Sequence, residues 1–152
     1  MMEYKCQQLY RDARITSIYE GTTQLQTVAA IRYVTNGTYM SVIRDYEAIP
    51  VAEEYEGYMR RIKEMASKLE AVTNAVKDAN DQELLDFCAR KLYEMTAYTI
   101  MCHLLLQDTQ KAPGMFAASL NVFVNHAESE VEKHFNYIRK MDAAQLANYR
   151  KA

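Results

Sequence analysis

Glycine and proline are nearly missing from this chain, at four and two among 152 residues, and tryptophan is absent. So few turn formers disfavour a many-stranded sheet and favour long helices. A run of about 20 apolar residues, the length a membrane span needs, is also missing; the longest strongly apolar stretch is 100–106. The opening Met-Met-Glu-Tyr-Lys-Cys has no apolar core like that of a secretion signal. Nor is there an excess of either charge: 18 Lys and Arg are interspersed with 20 Asp and Glu, for a net −2. Without a basic stripe to neutralise a row of phosphates, nucleic-acid binding is not expected. The three cysteines, Cys6, Cys88 and Cys102, form no CxxC pair. Cys88 and Cys102 fall on one expected helix, ~21 Å apart at 1.5 Å per residue, too far to bridge. They read as reduced thiols of a cytoplasmic protein.

What is present is helical periodicity. Hydrophobic residues make up 49% and charged residues 25%, a globular composition at a length suited to one core. Tyr55, Tyr58, Met59, Ile62, Met65, Ala66, Leu69, Val72, Thr73 and Val76 recur at the three-four spacing of one helix face. Asn80-Asp81 reads as a break, with Asp81 a cap for the next helix. There Leu85, Cys88, Leu92, Met95, Thr99, Cys102 and Leu106 form a second stripe, ended by Pro113-Gly114. Leu120, Val124, Ala127, Val131, His134, Ile138 and Met141 form a third, and Asp142 is placed to cap a short last helix. Before Pro50, 24–34 and 38–49 look helical, with Asn36-Gly37 between them. The expectation is an all-α fold: an antiparallel helical bundle of the four-helix up-down type, with extra short helices at the N-terminus. Pro50 divides the chain into 1–50 and 51–152.

One stretch stands apart from this background. Arg11-Asp12-Ala13-Arg14-Ile15-Thr16-Ser17 leads into Ile18-Tyr19-Glu20-Gly21-Thr22-Thr23, then Gln24-Leu25-Gln26. Gly21 breaks a preceding helix and Thr22 can cap the next, which leaves Glu20 on the turn between them. These sixteen contiguous positions resemble the C-terminal signature of acyl-CoA dehydrogenases. The resemblance implies that Glu20 is the base that removes the α-proton of an acyl-CoA thioester. It implies further that the backbone N–H of Glu20 polarises the thioester carbonyl, and that Gly21 lets the acyl chain approach. Thr22, Thr23 and Gln24 are implied to contact the cofactor, FAD. A weakly acidic α-proton suits a buried carboxylate of raised pKa, and a turn's N–H groups suit a developing oxyanion. By the same resemblance the parent enzyme takes acyl-CoA, passes electrons to electron-transfer flavoprotein and forms a homo-oligomer. One departure is visible: Thr27 stands where the family often has a basic residue.

The chain begins ten residues before Arg11, so it is expected to hold the base without the flavin-binding portion and to be inert alone. The stretch from about Val51 onward resembles the extra C-terminal helical domain of larger bacterial acyl-CoA dehydrogenases. The alternative is a free-standing helical module used only for association. Leu9, Ile15, Ile18, Leu25 and Val28 are expected to form an apolar surface orphaned from the rest of such an enzyme, through which copies associate. His126, Glu130 and His134 share one helix face, but without a thiolate or an HExxH pair they read as packing rather than a metal site. Glu53-Glu54 and Arg60-Arg61 read as solvated helix faces.

Overall fold

The computed structural model describes residues 5–15, 23–141, 144, 146 and 148. Among these the chain is all α, with no strand. The helices are α1 (Lys5–Ile15), α2 (Thr23–Thr35), α3 (Thr38–Glu47), α4 (Glu56–Asp78), α5 (Gln82–Lys111) and α6 (Pro113–Lys140), and a 3₁₀ turn, Glu53–Tyr55, leads into α4. The expected last helix is capped at Asp142, which lies outside the described residues.

Local chemistry sets the breaks. Gly37 adopts φ 86 between α2 and α3, where a side chain would be strained. Asn36 Oδ1 accepts from the Thr38 backbone N–H at 3.0 Å and from its hydroxyl at 2.7 Å. Asn80, also at positive φ, turns the chain after α4. Asp81 then caps α5, its carboxylate accepting from the N–H groups of Glu83 and Leu84 at 2.9 and 3.1 Å. Pro113 is the first residue of α6, where its missing N–H costs nothing. It therefore starts a helix as well as ending the one before, and α6 begins two turns ahead of its Leu120 stripe.

The three stripes meet in one core. Met59, Ile62, Met65, Ala66, Leu69, Val72, Thr73 and Val76 of α4 are all buried, as are Cys88, Leu92, Met95, Thr99, Cys102 and Leu106 of α5. From α6 come Leu120, Val124, Ala127, Val131, His134 and Ile138. At the start of α5 the buried residue is Leu84, with Leu85 only partly covered. Three threonines of α5 satisfy themselves, whereas the Thr73 hydroxyl of α4 is buried without a partner. The Thr96, Thr99 and Thr109 hydroxyls donate to the carbonyls of Leu92, Met95 and Leu105 at 2.8, 2.8 and 2.7 Å.

Directions follow from the contacts. Tyr98 of α5 packs on Phe123 and His126 of α6, and Phe87 on Tyr137, so these two helices are antiparallel. Tyr58, Arg61 and Lys68 of α4 reach Asn121, Glu128 and Glu132 of α6 in the same order, so those two are parallel. The long helices thus run up, down, up. The fourth side is not one helix but two, α2 and α3, each packed on α5 and meeting at Gly37. Arg61 is no solvated helix face: it binds Glu128 at 2.6 Å and Asn125 at 2.7 Å, tying α4 to α6. On the other side Arg44 of α3 reaches Glu70 of α4 at 2.5 Å.

Candidate functional site

The candidate site is the entry to α2. Glu20, Gly21 and Thr22 lie outside the described residues. Of the remaining two, Thr23 is the first residue of α2 and Gln24 is exposed on its first turn. Helical spacing fixes what the rest of α2 does. Thr27, Ala30 and Val34 are buried at 2%, 9% and 6% exposure, one face with a three-four repeat, and that face packs on α5. Gln24, Thr27, Val28 and Ile31 border a cleft of about 260 Å³ opposite Leu85, Asp86 and Ala89. The opposite face, Leu25, Val28 and Tyr33, is half exposed or more. So α2 is docked on the bundle by one side, and its first turn stays open.

This docking accounts for the departure at position 27. A lysine or arginine there would bring its charge against α5, at a position only 2% exposed, and burying an unpaired cation is costly.

Other groups are brought together less productively. His134 is buried and its Nε2 lies 3.0 Å from Glu94 Oε2, off the line of a good hydrogen bond, and 3.9 Å from Glu130. Burial lowers its pKa, with Glu94 opposing. His126 is exposed beside Tyr98. Among the described residues no cluster of three or more His, Cys, Asp or Glu is placed to hold a metal. Cys88 and Cys102 are fully buried, and burial pushes Cys102 up to about 12, which leaves it an unreactive thiol.

A buried polar group that periodicity alone passed over is His103. It is 1% exposed, stacks on Tyr46 with ring centres 5.8 Å apart, and its Nε2 has no partner. Burial holds its pKa down to about 4, against the pull of Glu47 and with a push from Lys63. Its sequence signal was faint, a histidine directly after Cys102 on the stripe. An open groove of about 790 Å³ lies at the turn from α3 to α4, away from the described residues of the signature run. Arg60, Lys63 and Lys68 line it together with Glu47, Glu56 and Glu64, so it selects neither charge. No described helix is long and apolar enough to cross a membrane.

Comparison with known proteins gives two similarities. The family model described as acyl-CoA dehydrogenase C terminal matches residues 35–146. Among solved structures, the chain is similar to an acyl-CoA dehydrogenase family protein from Porphyromonas gingivalis. The identity is 36% and the TM-score 0.71, over 75% of this chain and 98% of that one. No curated protein matches.

Proposed function

From the premise that this chain belongs to the acyl-CoA dehydrogenase C-terminal family, we propose that it is the C-terminal part of a flavin-dependent acyl-CoA dehydrogenase, supplying the catalytic base. One observation carries this reading: α2 joins the two marks of the family. The signature run ends at Gln26, inside the first turns of α2, and the matched family region begins at residue 35, its last residue. Thr27, Ala30 and Val34 fix this helix to α5.

Glu20 takes the α-proton of the thioester, and the N–H of Glu20 steadies the charge that develops on the carbonyl oxygen. Gly21 leaves room for the acyl chain. Thr22, Thr23 and Gln24 would hold FAD. The first turn of a 13-residue helix, with Gln24 exposed, suits that contact. When bound, the flavin accepts the hydride from the β-carbon. Electron-transfer flavoprotein would be the parent's electron acceptor, in cytoplasmic fatty-acid oxidation.

In the longer polypeptide, Glu20→Gln keeps flavin and acyl-CoA binding and lowers turnover by several orders of magnitude, because the isostere cannot take a proton. Near-normal turnover would place the base elsewhere. The 152-residue chain alone, given FAD, butyryl- to palmitoyl-CoA and an electron acceptor, shows no turnover above blank.

A second reading, a free-standing helical module used for association, is favoured by one fact. The solved relative is covered over 98% of its length by 75% of this chain, so a bundle of this size occurs there as the whole solved chain. The mass of the native protein decides between the two: a polypeptide several hundred residues longer supports the dehydrogenase, and one of about this length supports the module.

A further inference from the structure

A small pocket of about 100 Å³ lies beside the Gly37 turn, where α2 and α3 meet α4 and α5. One end of it is apolar: Val34 and Leu69 are 6% and 2% exposed, and Met40 packs against the same core. The other end offers donors. Gly37 caps α3 without a side chain, and nothing lies within 4 Å of where its Cβ would stand. In the first turn of this 10-residue helix the Thr38 N–H is taken by Asn36 Oδ1, and the Ser41 N–H begins the helical ladder on the Gly37 carbonyl. The N–H groups of Tyr39 and Met40 are the open donors between them, and both residues line the pocket. On the α4 wall stands Thr73, 7% exposed, its hydroxyl without a hydrogen-bond partner among the described residues. Thr96, Thr99 and Thr109 each donate to the carbonyl four residues back. Thr73 makes no such bond to Leu69, although leaving a buried hydroxyl unpaired is costly. Lys77, one turn beyond Thr73 on the same face, brings a cation to the mouth. Glu70, the acid in the lining, already binds Arg44 at 2.5 Å, and the Arg32 and Val34 carbonyls that end α2 already accept from Asn36 and Gly37.

We infer that this pocket at the N-terminus of α3 binds a small monocarboxylate, of roughly two to four carbons. The carboxylate accepts from the N–H groups of Tyr39 and Met40, from the Thr73 hydroxyl and from the Lys77 ammonium, where the helix dipole also favours negative charge. Its short alkyl tail lies on Val34, Met40 and Leu69. Volume sets the length. At ~30 Å³ per water the space is worth about three waters, which suits acetate to butyrate and excludes a chain of fatty-acid length. A phosphate fits the donors but is polar all round, and its remaining oxygens would lie unpaired against the apolar end. An amine would meet Lys77 and the positive end of the helix. The pocket shares no residue with the signature run at 11–26, so the inference stands apart from the dehydrogenase reading.

Titrating the full chain with sodium propionate, against sodium chloride at equal ionic strength, tests this through amide chemical shifts. The Gly37, Tyr39 and Met40 amides are expected to shift saturably with a Kd of roughly 1–10 mM, and chloride is expected to leave them in place. Thr73→Val keeps the shape and removes the donor, so binding should weaken at least ~10-fold. Its melting temperature should hold or rise, because an unpartnered buried hydroxyl is gone. Thr73→Ser restores the hydroxyl and should bind within ~3-fold of wild type. Lys77→Gln, at an exposed position, should weaken binding by ~3- to 10-fold, and it replaces Thr73→Val if that variant does not fold. Shifts that propionate and chloride produce alike overturn the inference, as does propionate binding unchanged in Thr73→Val or Lys77→Gln. So does Thr73→Ser binding no better than Thr73→Val, or phosphate saturating these amides where propionate does not. An absence of any saturable shift overturns it as well, since the pocket then holds water only.

Discussion

His103 is held between helices as a neutral ring, stacked on Tyr46 and lowered to a pKa of about 4 from an ordinary 6.5. In the unfolded chain it protonates near its ordinary value, so between pH 6.5 and 4 the unfolded state binds more protons. Stability is then full above about pH 6.5 and is lost as pH falls toward 4, by about 2–3 kcal/mol from this group. His134, also lowered by burial, adds in the same direction. His103→Phe keeps a ring against Tyr46 and should flatten the loss. If urea unfolding between pH 7.5 and 4.5 shows the same fall for wild type and variant, His103 is not its source. At this scale the sequence revealed some roles and hid others. Cys88 and Cys102 were legible as buried thiols because they repeat with Leu92, Met95 and Leu106. Arg61 was not legible as a tie between helices, because its partner Glu128 lies on α6 and no local spacing announces it.

Helix boundaries were read well where a side chain makes them. Asp81 caps α5 through two N–H groups, and Asp81→Ala should lower stability by about 1 kcal/mol, visible as a shifted urea midpoint with unchanged slope. A change below ~0.3 kcal/mol would mean the cap is replaceable by water. The divided fourth side was harder to see. Asn36-Gly37 marked a break, but whether the two pieces would stack on α5 depended on tertiary packing that periodicity does not contain. The entry to α2 was legible through the resemblance of positions 11–26, whereas the docking of α2 was not. Thr27 looked like a departure until its burial showed the cause. Thr27→Lys should pry the first turns of α2 from α5 and lower the melting temperature. In the longer enzyme it should also reduce turnover while leaving flavin content nearly unchanged. A variant as stable and active as wild type would mean that α2 is not held by this face.

For the whole molecule, the uneven distribution of apolar surface is informative. The core closes among α2 to α6, yet Tyr10 and Ile15 of α1 are 71% and 55% exposed, and Leu25 and Val28 of α2 are 59% and 50% exposed. Leu9 and Ile18, expected on the same orphaned surface, lie outside the described side chains. No residue of α1 whose side chain is described is buried, so the first helix gains little from the bundle. In the dehydrogenase reading this face is covered by the flavin-bearing portion, and burying such residues stabilises by roughly 1.5–3 kcal/mol each. Proteolysis follows the population of open backbone, so the two contexts should differ measurably. In the 152-residue chain, trypsin should cut first at Arg11 and Arg14 and leave a resistant fragment containing α2 to α6. In the longer polypeptide the same two bonds should be cut at least ~10-fold more slowly, with FAD bound or not. Equal rates in both would mean that the α1–α2 face is uncovered in the parent as well, and the proposed continuity with a flavin-bearing portion would lose its main physical support.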